Sequence, residues 1–161
     1  MPIFLNIDLS SLIIQMEETI EAPAEKVFDA LTGDISGWWG FPFLLSPDDA
    51  VSVTIDPKLG GLFYESWGDD GSGVILGTVT RLKKGRRLSI QGYMSLPGPL
   101  AGLIDFQLTP NSPTSTTVKL FHSAFGTFDW QANRHYEPGW KHLLNIRLKQ
   151  HVEQGRRFEF R

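Results

Sequence analysis

The chain has 161 residues, a net charge of −3 and no cysteine. That length favours a single domain able to bury roughly 70% of its unfolded surface without covalent staples. No basic face is evident, which argues against nucleic acid as a partner, and the missing cysteines exclude disulfides, thiolate metal sites and a thiol nucleophile and fit a reducing compartment, the cytoplasm.

Residues 1–10 read as an N-terminal arm and residues 11–155 as the core of one domain spanning 1–161. The stretch from Met1 to Ile14 is apolar, but it lacks a positive leader and Asp8 interrupts it, so it reads as neither a signal peptide nor a membrane span. No other stretch approaches the ~20 apolar residues a spanning helix needs, and no membrane partner is expected. Ser11 to Ile20 alternates, with Leu12, Ile14, Met16 and Ile20 on one side, and predicts a half-buried first strand. Pro23 then opens a helix that runs to Thr32. Glu25 sits near its positive end, and Val27, Phe28 and Leu31 form one stripe. Asp34 to Gly40 reads as a short second helix or a tight turn, and its paired Trp38 and Trp39 either cap a core or rim a pocket.

A loop from Phe41 to Ala50 leads into a run of strands: Val51–Ile55, Leu62–Trp67, Val74–Leu82, Arg87–Met94, Ala101–Thr109 and Ser115–Phe125. The stretches between them are rich in Gly, Pro, Asp and Ser, the residues of turns. The basic cluster from Arg81 to Arg87 surrounds Gly85 and reads as a solvated turn, with an anion site as the alternative. Ser95–Leu100, Pro110–Thr114 and Gly126–His135 are connections. Glu137 to Glu153 is the one long helical pattern, with Trp140, Leu143, Leu144, Leu148 and Val152 at three- and four-residue steps. Pro138 suits its first turn and Gly155 its stop. Short turns between successive strands predict an antiparallel sheet, and an amphipathic helix beside such a sheet buries its stripe there, which makes an α+β fold.

Several stretches in order resemble a known family. Ile20 to Leu31 resembles the opening of the START-like (SRPBCC) superfamily. Gly60-Gly61-Leu62-Phe63-Tyr64-Glu65, Gly77-Thr78-Val79, Phe106 to Pro110, Val118 to Ser123 and Gly139-Trp140 resemble its branch named after the activator of Hsp90 ATPase (AHSA1-like). The resemblance covers about Leu12 to Gly155. It implies a helix-grip fold: a curved antiparallel sheet of about 6–7 strands wrapped around the C-terminal helix, with two short helices after the first strand. It also implies a cavity between helix and sheet. The arm before Leu12 is longer than the family's usual start, and Arg147 and His151 fall on the helix face that Trp140 and Leu144 define.

Glu65 shares a strand face with Phe63 and Trp67, so it stands among rings unless Leu62 and Tyr64 face inward instead. A buried carboxylate there needs a partner, a proton or a wet cavity. His122 lies with Val118 and Leu120, as a satisfied core histidine or as a polar contact to a ligand. Ser123 faces the other side of that strand, so the two form no dyad. The four histidines show no metal pattern, and no nucleophile elbow, P-loop or dinucleotide fingerprint is present, so no catalytic residue, metal or cofactor is assigned.

The first functional expectation is a domain that binds a small apolar molecule between helix and sheet. Five Trp and eleven Phe are more large rings than a small core needs. Trp38, Trp39, Phe63, Trp67, Ile90, Phe106, Leu120, Trp140 and Leu144 would supply walls, and Glu65 and His122 would orient the ligand. The alternatives are a chaperone-regulating interaction module, as the branch name suggests, and an enzyme of the cyclase or dehydratase kind in which Glu65 and His122 share acid–base work.

Overall fold

The computed structural model describes residues 9–94, 96, 98–129 and 134–161. The expected arm lies outside these as far as Asp8. Alternation of apolar and polar residues produces β1 (Ser10–Ile20), with Leu12, Ile14 and Ile20 in the interior. Helix α1 (Ala24–Thr32) follows Pro23, and a 3₁₀ turn (Ile35–Gly37) presents the two tryptophans. The remaining strands are β2 (Ser52–Ile55), β3 (Leu62–Ser66), β4 (Gly73–Lys83), β5 (Arg87–Gln91), β6 (Leu100–Ser112) and β7 (Ser115–Gly126).

All seven strands form one antiparallel sheet in the order β1-β7-β6-β5-β4-β3-β2. Strands β2 to β7 are a meander of hairpins, and β1 closes the far edge against β7. The register sets Ile14, His122 and Ile104 side by side on three neighbouring strands, facing the interior. This is the helix-grip α+β fold.

Two strand limits differ by more than one residue from those predicted. Strand β5 ends at Gln91, short of Met94, which has φ 47°, a left-handed conformation outside the strand region. Strand β6 runs through Pro110 to Ser112. Pro110 lies past Gln107, the last β6 residue paired with β5, so a missing amide there disturbs no second ladder.

The C-terminal helix packs on the sheet in three continuous stretches: α2 (Tyr136–Lys141), a π-wound segment (His142–Leu148) and α3 (Lys149–Gln154). Trp140, Leu143, Leu144, Leu148 and Val152 are all buried, as their spacing predicts. Each such side chain contributes about 1.5–3 kcal/mol relative to exposure. The π winding was not legible in that spacing. Arg147 lies on the inner face, as its spacing from Trp140 and Leu144 predicts, and Ile146 is 40% exposed. Gly155, at φ 67°, ends the helix in the left-handed conformation that glycine tolerates best. The chain then returns along the first helical pieces: Phe158 N–H donates to Gly37 O and Phe41 N–H to Phe160 O.

Candidate functional site

Four elements aim rings at one region. The 3₁₀ turn supplies Trp38 and Trp39, β3 and β6 supply Phe63 and Phe106, and the start of the helix supplies Trp140. They meet edge to face: Trp38–Trp39 at 5.6 Å, Trp39–Phe63 at 5.4 Å, Trp39–Trp140 at 5.5 Å and Phe106–Trp140 at 5.9 Å between centroids. Such contacts add about 0.5–1.5 kcal/mol each beyond area burial. They also fill the space between the middle of the helix and the sheet, where a hollow was expected. Trp38, Phe63, Ile90, Phe106, Leu120 and Leu144 are therefore core residues packed in one cluster, and Trp67 is half-buried at its margin.

The hollow lies further toward the start of the helix. A pocket of about 420 Å³ opens between residues 39–45 and the first helical turns. Trp39 and Trp140 are the expected wall residues that line it. Pro42, Phe43, Leu44, Leu45, Met94, His135, Tyr136, Gly139 and Leu143 complete the lining. Sequence reasoning missed these because they sit in a loop, a strand exit and a helix start with no shared periodicity. The one available signal was Gly139: beside Trp140 on the helix, it leaves room for the Phe43 ring, which would stand 3.4 Å from an added Cβ. The Tyr136 hydroxyl donates to Met94 O and ties the helix start to the strand exit. Trp39 Nε1–H donates to Phe43 O at 2.9 Å and shapes the loop.

Glu65 faces inward with Phe63, the first of the two orientations that the alternation allowed, but it has no part in the pocket lining. Its carboxylate accepts from Leu45 N–H at 2.7 Å, Ser46 N–H at 2.9 Å and Trp67 Nε1–H at 2.8 Å. Both oxygens are thus committed to holding the pocket's loop. Charge-assisted bonds of this kind resolve the burial of a carboxylate that periodicity alone left open.

His122 accepts from Trp140 Nε1–H through Nδ1 at 3.0 Å. Burial pushes its pKa down to about 4, so the ring is neutral near pH 7. Its centroid is 5.7 Å from that of Tyr136 and 5.9 Å from that of Trp140, two residues of the pocket wall. Glu65 and His122 therefore have separate hydrogen-bond partners.

Arg147 is buried under the returning C-terminal stretch. Its guanidinium lies 5.1 Å from the Phe43 ring centroid and 5.0 Å from that of Phe158, and Nη2 donates to Phe41 O at 2.8 Å. Burial, and then nearby Arg156, lower its pKa. The other polar residue expected on this helix face, His151, has a side chain only 9% exposed and meets Asp34 at 3.0 Å. On the outer face of the sheet, a shallow groove of about 780 Å³ includes Ile13, Tyr93, Leu103 and Phe125. Ile13 is 83% and Phe125 57% exposed there. It is larger than the ring-lined pocket but lacks its enclosure by two elements. Among the described residues no group of His, Asp or Glu side chains could hold a metal ion, and no helix is long and apolar enough to cross a membrane.

These features belong to a helix-grip domain with a ring-lined pocket at the mouth of the grip. The family model for activator of Hsp90 ATPase homolog 1-like proteins matches residues 21–153, and the chain belongs to that family, the AHSA1-like branch of the START-like superfamily. No curated protein matches it in sequence. Among solved structures, it is similar to protein MLL2253 from Mesorhizobium loti, with 23% identity over 86% of this chain and 95% of that one, at a TM-score of 0.60. The Aha1 dimer from Colwellia psychrerythraea shares 22% identity over 89% of this chain and 98% of that one, at 0.60. CalU16 from Micromonospora echinospora shares 20% over 90% and 81%, at 0.58. At these identities the likeness is one of fold.

Proposed function

We propose that this protein binds a small, largely apolar molecule in the pocket at the start of the C-terminal helix. The observation that carries the reading is the lining itself: Trp39, Phe43, Tyr136 and Trp140 surround about 420 Å³, a volume and composition suited to a small ligand. Trp39 and Trp140 are the wall residues retained from the sequence reading. The other predicted walls act from behind by holding those two rings in place. Glu65 acts by fixing the loop, and His122 is left as the orienting group.

Titrating the protein with 1-aminoanthracene, followed by probe fluorescence and calorimetry, tests this. A dissociation constant in the micromolar range is expected, roughly −8 kcal/mol. Gly139→Leu places a side chain in the pocket without removing any core group. It should abolish binding while leaving the unfolding midpoint near that of the wild type. Equal affinity in a folded Gly139→Leu variant would overturn the assignment.

A second reading draws on the exposed Ile13, Tyr93 and Phe125, an apolar outer strip of the kind that interaction surfaces use. It makes the domain a chaperone-regulating module, in line with the family's description. Chaperone binding on that strip would be insensitive to Gly139→Leu.

A further inference from the structure

His122 carries a polar atom that no described residue uses. Trp140 Nε1–H donates to its Nδ1 at 3.0 Å. An indole N–H only donates, so Nδ1 is unprotonated and the neutral ring holds its proton on Nε2. That Nε2–H has no acceptor among the described residues, although His122 is only 1% exposed. Its strand neighbours in register, Ile14 and Ile104, offer no acceptor side chain. Buried donors are rarely left unmet, because desolvation is then uncompensated. The nearest described rings, Tyr136 and Trp140, both belong to the pocket wall. The lining contains no Asp, Glu, Lys or Arg, and His135 is its single ionisable side chain apart from the Tyr136 phenol, which favours a neutral ligand.

We infer that the pocket's occupant is a neutral, ring-bearing molecule with a carbonyl oxygen, which enters between Tyr136 and Trp140 and accepts a hydrogen bond from His122 Nε2. The inference rests on the pocket reading above and narrows it to a chemical class: ketones, aldehydes and quinones. A carbonyl only accepts, which matches a lone donor. An alcohol would bring a second proton needing its own acceptor, and the nearest polar pair, the Tyr136 hydroxyl and Met94 O, already bond to each other.

Two probes of nearly equal shape, 2-acetylnaphthalene and 2-ethylnaphthalene, test it by calorimetry on the wild-type protein. The ketone should bind roughly 10-fold more tightly. The ratio should fall to about one in His122→Phe. Should that variant fail to fold, the wild type still decides: the bound ketone's carbonyl stretch should move to lower frequency, and the His122 Nε2 resonance should shift with the ketone only. Equal affinity for the two probes, or an unshifted carbonyl, overturns the carbonyl assignment and leaves the pocket standing. Binding of neither probe overturns both.

Discussion

Replacing Glu65 by Gln removes one acceptor oxygen and nothing else in volume. The carboxylate receives Leu45 N–H on one oxygen, and Ser46 N–H and Trp67 Nε1–H on the other. A glutamine side chain has a single oxygen. Turned one way it strands Leu45 N–H against its own NH2 group; turned the other way it strands two donors. The smaller loss is one charge-assisted bond plus one donor facing a donor, which costs about 2–3 kcal/mol. For a chain of 161 residues each kcal/mol moves the melting midpoint by roughly 2–4 °C, so a fall of roughly 5–10 °C is expected. Urea unfolding followed by tryptophan fluorescence measures the free energy, with Glu17→Gln as control, since that exposed carboxylate makes a weak ion pair with Lys119 at 3.9 Å. The loop that Glu65 holds forms one side of the pocket, so affinity for an apolar probe should fall as well. A Glu65→Gln variant within about 0.5 kcal/mol of wild type would refute the anchoring role.

His122 predicts a pH dependence. Its folded pKa of about 4 lies below the ordinary 6.5, so the unfolded chain binds the proton more readily. The stability it contributes is complete above pH 6.5 and is lost as pH falls toward 4, by about 2 kcal/mol between pH 7.5 and 5. Urea midpoints across that range should show the fall, and His122→Gln should flatten it; a wild-type profile level from pH 7.5 to 5 would contradict a neutral buried ring. Arg147→Met should raise stability by about 1 kcal/mol, because a cation with no carboxylate partner leaves the interior and a side chain of similar length fills its place. A loss above about 2 kcal/mol in the same assay would show that the two Phe rings and Phe41 O more than offset its desolvation.

Much of the fold was legible in the chain because its cause is local. Alternation in β1 and β7 put Leu12, Ile14, Leu120 and His122 inside, and steps of three and four put Trp140, Leu144 and Leu148 on one helix face. Both follow from backbone geometry that every residue shares. The same rule put Glu65 on one face with Phe63 but left open whether that face or the one with Leu62 and Tyr64 turns inward. The partners of these groups did not follow from it. Leu45 and Ser46 N–H reach Glu65 from a loop some twenty residues earlier, and Arg147, placed on the inner face by its spacing, finds Phe41 O and the Phe43 and Phe158 rings in segments distant along the chain. The position of the pocket was hidden for a related reason. A void is what remains after Trp39, Phe63, Phe106 and Trp140 have packed edge to face, and rings of the same composition can enclose space or fill it. Sequence by itself determined which side chains face the interior. Only tertiary structure decided where they stop short of one another, because packing depends on distances between elements that no single element encodes.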